Sequence, residues 1–221
     1  MKDLVTNGKI MFDGIKKSEE LKNAATTLKI NAIKALFGDE LAKAELLKVS
    51  FSVPAFLPNI LFWENFNCFL QGLDYDPRIQ IKLCERFDVE EDKEEYAIKI
   101  FKAIEKIDSK RKINILLNFT RALSFGMIDN RTYYRLTKIL PDLSEQDIDY
   151  LKSMIKKGNF EEDEYTDDFI AYGLIRQTNE GFAYNRCAFE FVNYGIDFGH
   201  SVMIPEEIPQ RISGGPEIVD F

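Results

Sequence analysis

Apolar residues recur at helical spacing through most of the chain, most clearly over 96–140, where three amphipathic helices follow one another with their own start and stop signals. In the first, Ala97, Ile100, Phe101, Ile104 and Ile107 share a face opposite Lys99, Lys102, Glu105 and Lys106. Asp108 stands where a cap would open the second, whose stripe is Ile113, Leu116, Leu117, Thr120 and Leu123. Gly126 offers the left-handed conformation that ends that helix, and Asp129 caps the third. Tyr133, Leu136, Ile139 and Leu140 form its stripe before Pro141 stops it.

Upstream, 9–37 predicts a long helix with Leu21, Ala24, Ala25, Leu28, Ala32 and Leu36 inward and Gly38 at its end. Asp39 opens a second helix with Leu41, Ala44, Leu47 and Lys48 around it. Gly72 is read as the stop of the next apolar element. Asp76-Pro77 then starts a helix, a capping side chain followed by proline at the first helical position. Its stripe is Ile79, Leu83, Cys84 and Phe87. Val89–Glu95 reads as a solvated acidic turn in which Asp92 and Glu95 fit a capping box.

The periodicity breaks at 49–63, fifteen residues without a charge, interrupted by Pro54 and Pro58 and extended in apolar character by Phe66, Phe69 and Leu70. As a helix it spans about 22 Å, short of a hydrocarbon core of about 30 Å, and its prolines interrupt the hydrogen bonding. Three readings stay open: a proline-bent hairpin in the core, an interfacial or membrane-inserting segment, and a patch for a protein partner. The residues that would form the surface are Phe56, Leu57, Ile60, Leu61 and Trp63.

Beyond Pro141 the order changes. Ser144 and Asp147 cap a helix with Ile148, Leu151, Met154 and Ile155, closed by Gly158. A short helix over 167–172 carries Phe169 and Ile170 inward, and two β-prone runs flank a Thr-Asn-Glu-Gly turn. Residues 186–196 return to helix. Helix, short helix, two-stranded wing and helix is the order of a winged-helix unit. The fold expected is therefore mainly α: a multi-helix domain over 1–141, a small winged-helix-like α+β unit over 142–200, and an extended, mobile tail over 201–221 with three prolines.

Charge and chemistry narrow the function. The chain has 221 residues and a net charge of −8, so no overall attraction to nucleic acid or an anionic membrane is expected. Three separated cysteines without a CxxC pair, and no signal peptide, point to a reducing cytoplasm. His200 is the only histidine, the glycines are single turn residues and the carboxylates come in runs, so neither catalysis nor a cofactor or metal is expected.

Across 144–200 twelve acidic residues face five basic ones, and the recognition-helix position, 161–173, carries six acids and no base. Duplex DNA is therefore not expected as a partner, and a protein is. Conversely, 99–138 holds ten basic and three acidic residues. Lys106, Lys110, Arg111, Lys112, Arg121, Arg131 and Arg135 form a candidate basic face for an external partner; the alternative is that they pair with the acidic C-terminal unit.

The run from Phe62 to Leu73, the acidic turn and the segment from Ala103 to Leu140 resemble helical bacterial proteins carried by prophages and defence islands. The C-terminal stretch from Ala171 to Gly195 is similar to the winged end of abortive-infection alpha-type proteins, where a Gly-Leu-Ile, a hairpin and a closing helix follow a helical domain. The resemblance implies a role in phage–host conflict, with no residue carried over. The leading expectation is a non-enzymatic cytosolic sensor or adaptor acting through protein contacts. Alternatives are a membrane-perturbing effector that uses 49–70, membrane-associated on activation, and a winged-helix transcriptional regulator. Homo-oligomerisation stays open.

Overall fold

A computed structural model describes residues 19–52, 60–157, 163–179 and 181–198. Among them are ten α-helices and one two-stranded sheet, a mainly α fold with a small β element near the C-terminus. The chain divides into two compact units, Met1–Ile128 and Asp129–Phe221. The third helix of the 96–140 run belongs to the second unit, its two predecessors to the first.

In the first unit α1 (Glu19–Leu36) and α2 (Glu40–Ser52) form a hairpin around Gly38, whose φ of +93° is the left-handed turn its position requires. The buried face of α2 is Ala42, Lys43 and Leu46, not the stripe expected from Leu41, Ala44, Leu47 and Lys48; Leu41 is 80% exposed. Asp39 caps the helix through the Ala42 N–H at 3.0 Å and fixes its rotation, and Ala42 is small enough for close packing on α1.

Then come α3 (Ile60–Asp74), α4 (Pro77–Arg86), α5 (Glu90–Lys106) and α6 (Lys110–Ser124). Gly72 does not end α3. It lies inside that helix because a Cβ there would stand 2.3 Å from Leu117 Cδ2 on α6, so glycine permits the close approach of the two helices. Helix α6 is buried nearly all round, with Ile115, Phe119 and Ala122 inside as well as the expected stripe, and it packs against α3 and α4.

Asp76 caps α4 as expected, accepting from the Arg78 N–H. The expected acidic turn at 89–95 is instead the first turn of α5. Glutamates are good helix formers, and Glu90, Glu91 and Asp92 complement the positive end of the helix dipole. No Asp92–Glu95 capping box forms, since the cap position is Val89. The cap of α6 is Ser109, one residue beyond the expected Asp108, which pairs instead with Lys112 Nζ at 2.9 Å.

The second unit contains α7 (Asn130–Ile139), α8 (Glu145–Lys157), α9 (Thr166–Ala171), β1 (Ile175–Thr178), β2 (Gly181–Tyr184) and α10 (Arg186–Phe191). Asp129 caps α7 through the Thr132 N–H at 2.7 Å. Ser144 and Asp147 exchange hydrogen bonds of 2.6 and 3.1 Å, the reciprocal box expected for α8. The strands pair antiparallel from Ile175↔Tyr184 to Thr178↔Gly181. Helix α10 packs on α7, α8 and β2, and α9 on β1. In α9 Thr166 and Phe169 are buried; Ile170, expected beside Phe169, is exposed because a helix this short buries one side. After Phe191 the helix widens into a single π turn, Val192–Ile196, which carries Asp197 to α8. Gly158, His200 and the tail over 201–221 lie outside the described residues.

Candidate functional site

Two surfaces stand out, one in each unit. In the first, the N-terminal turn of α3 leaves Leu61 46% exposed and Phe62 and Trp63 half-buried, while Phe66 and Phe69 are buried below them. The Phe62 ring meets Phe101 of α5 edge-on at 6.3 Å, and Phe66 meets the same ring at 5.4 Å. Trp63 packs on Phe62 at 5.3 Å. The Asn65 amide donates to the Ile107 carbonyl at 2.8 Å, satisfying a carbonyl at the end of α5 and fixing the start of α3 there. Phe56 and Leu57 lie outside the described residues, and Ile60 is the first residue of α3.

Part of the expected basic face lies on the same helix α5 and on the start of α6. Lys102 and Lys106 are exposed on the C-terminal third of α5, and Lys110 is exposed at the start of α6. Arg111 is half-buried. Lys112 does not belong to an exposed face: its side chain is 2% exposed, its stem is covered by the core and its ammonium is held by Asp108. Arg121 is half-buried near Asp76, and its charge helps hold that carboxyl below its ordinary range, behind the larger effect of the Arg78 hydrogen bonds. Arg131 and Arg135 belong to α7 in the second unit, where the Arg135 guanidinium donates to the Gly173 carbonyl at 3.0 Å. Of the seven expected cations, five belong to the first unit and two to the second, and Lys112 is buried.

The surface of the second unit is acidic. Glu164, Asp167 and Asp168 are exposed on and before α9. Asp163 is used locally: its carboxylate accepts from the Tyr165 N–H at 3.0 Å and from the Tyr150 hydroxyl, and its own N–H donates to Thr166 Oγ1 at 2.8 Å. Tyr150 and Tyr165 stack at 4.3 Å beside this turn. Glu161 and Glu162 lie outside the described residues.

Polar groups that the periodicity did not reveal hold both surfaces in place. Lys43, buried on α2, reaches Glu40 at 2.9 Å and Asp74 at the end of α3. Burial pushes its pKa down, but the hydrogen bonds and charges of the two carboxylates more than offset that and raise it. Asp197 accepts from Lys152 at 2.5 Å and pairs with Lys156 at 3.2 Å. Burial pushes its carboxyl up, and the two lysines reverse that and hold it below the usual range. A charged residue next to a closing helix was the only trace of this pin in the sequence.

The cysteines Cys68, Cys84 and Cys187 are free thiols. Burial pushes Cys187 up to about 11 and raises Cys84, whose thiol donates to the Phe37 carbonyl at 3.4 Å, so both are poor nucleophiles. Among the described residues no group of three or more acidic, histidine or cysteine side chains is placed to hold a metal, and no helix is long and apolar enough to cross a membrane. No family model, no curated protein and no solved structure matches the chain.

Proposed function

We propose that the chain is a non-enzymatic adaptor or sensor in phage–host conflict that works through protein contacts, its winged unit receiving a positively charged protein surface. The observation that carries this reading is the exposed trio Glu164, Asp167 and Asp168 at α9. A helix in that position reads a DNA groove only with cations and base-contacting groups, and carboxylates there repel phosphate before contact. The phage–host setting comes from the resemblance of the helical segments and the winged end.

The test is a phage challenge of host cells carrying the wild-type chain or the Asp167→Lys/Asp168→Lys variant. The reading expects protection by the wild type and its loss in the variant, with an unchanged thermal melt because both side chains are exposed. No protection by the wild type against a broad phage panel, or equal protection by the variant, overturns it.

A further inference from the structure

We infer that the exposed face of α4 is a contact between two copies of this chain, packed antiparallel about a two-fold axis. The proposal does not rest on the adaptor reading, since it concerns the other unit. Arg78, Ile81, Lys82 and Glu85 are exposed and fall within an arc of about 100° on that helix, while Ile79, Gln80 and Leu83 are buried behind them. Ile81 is 57% exposed, an apolar side chain between two charged ends. Phe125, the residue that ends α6, is 39% exposed and its ring lies 5.8 Å from the Arg78 guanidinium, which extends the face beyond the helix.

The order of charge along the face selects the occupant. Arg78 stands one turn before Ile81 and Glu85 one turn after it, a pattern that complements its own reverse. In an antiparallel pair centred between Ile81 and Lys82, Arg78 of each copy meets Glu85 of the other, and the two Ile81 side chains meet beside the axis. Both charged groups keep bonding capacity for this. Asp76 accepts from Nε and Nη2 of Arg78 at 2.8 Å, two of the five guanidinium donors. Lys82 donates to one oxygen of Glu85 at 2.7 Å, and a carboxylate accepts more than one donor. The other charges bordering α4 lie off the face: Asp74 pairs with Lys43, Arg86 donates to the Leu123 carbonyl at 3.2 Å, Arg121 acts on Asp76, and Asp88 follows the end of the helix. One ten-residue helix and a neighbouring ring make a face that is small against specific interfaces of about 1,200–2,000 Å², so the association is weak and reversible.

The test is sedimentation velocity of the full-length protein across a concentration series from about 1 to 200 μM, the range in which a weak dimer forms. The wild type is expected to shift from monomer toward dimer as concentration rises. Arg78→Glu alone and Glu85→Arg alone each set like charges against one another at both contacts, and each is expected to weaken association by more than about tenfold. Both side chains are exposed, and the changes put an acid in the first turn and a base in the last, so the variants keep melts close to the wild type. An equal mixture of the two variants is expected to associate again, because every contact then joins opposite charges. A wild type that stays monomeric throughout, a dimer indifferent to either reversal, or single variants that fail to associate when mixed overturns the proposal.

Discussion

Helix α6 in the first unit and α8 in the second are close in length, 15 and 13 residues, yet they are held in different ways. Nearly the whole circumference of α6 is covered, and its neighbour α3 comes so close at Gly72 that a single methyl would collide with Leu117. Helix α8 buries only the stripe of Ile148, Leu151 and Ile155. Beside it Tyr150 stacks on Tyr165, and polar groups hold the two ends: the Ser144–Asp147 box at one and Lys152 and Lys156 on Asp197 toward the other. Charge differs as well. The first unit carries 20 lysines and arginines against 19 acids, and the second carries 9 against 18. A near-neutral unit built on hydrocarbon can offer apolar and aromatic surface to a partner. A small unit with excess negative charge depends on directed hydrogen bonds to hold its shape.

The largest effect is expected in the hydrocarbon core. Leu116→Ala, at a fully buried position on α6, should cost about 2–5 kcal/mol and appear as a lower midpoint in chemical denaturation. Gly72→Ala tests the close approach directly. It gains helix propensity, but the added Cβ needs Leu117 to move, so a net loss of about 1–3 kcal/mol is expected. A stabilised variant would mean that the two helices are not so tightly packed.

In the second unit the corresponding change is Asn185→Ala. The Asn185 amide donates to the carbonyls of Gly173 and Ile175 at 3.0 and 3.2 Å, tying the hairpin to the end of α9. Its loss should cost about 1–3 kcal/mol, read as faster amide exchange over 175–184 while 110–124 is unchanged. Smallest of all, reversing the exposed Lys102, Lys106 and Lys110 should leave the melt within about 0.5 kcal/mol of the wild type.

What could be read from the sequence follows the same division between local and distant causes. The Asp76-Pro77 start, the Asp129 cap, the left-handed Gly126 and the Ser144–Asp147 box each depend on residues within a few positions, and each is where the spacing put it. The rotation of α2 was not legible, because Leu41 and Ala42 both suit a helix and packing against α1 decides which is buried. Gly72 reads as a stop until Leu117, 45 positions away, is known to lie against it. The aromatic surface was half legible: Leu61 and Trp63 stood out, but the meeting of Phe62 and Phe66 with Phe101 of α5 is a tertiary fact. Lys112 was misassigned because a lysine's spacing does not show that the core covers its stem.

The contrast between a hydrocarbon-held unit and a polar-pinned one is tested most directly by hydrogen exchange of the full chain as pH is lowered. The folded-state pKa of Asp197 is depressed, so its contribution is present above the ordinary carboxylate pKa and is lost as pH falls through the lower folded value. As pH falls below the ordinary carboxylate pKa of about 3.9, the account predicts that segments 145–157 and 186–198 lose protection before 110–124 does. Asp197→Asn, which removes the charge at every pH, should lower protection of the same segments at neutral pH and flatten their response to acid. Loss of protection in 110–124 together with 145–157 at the same pH, or an unchanged acid response in Asp197→Asn, would contradict it.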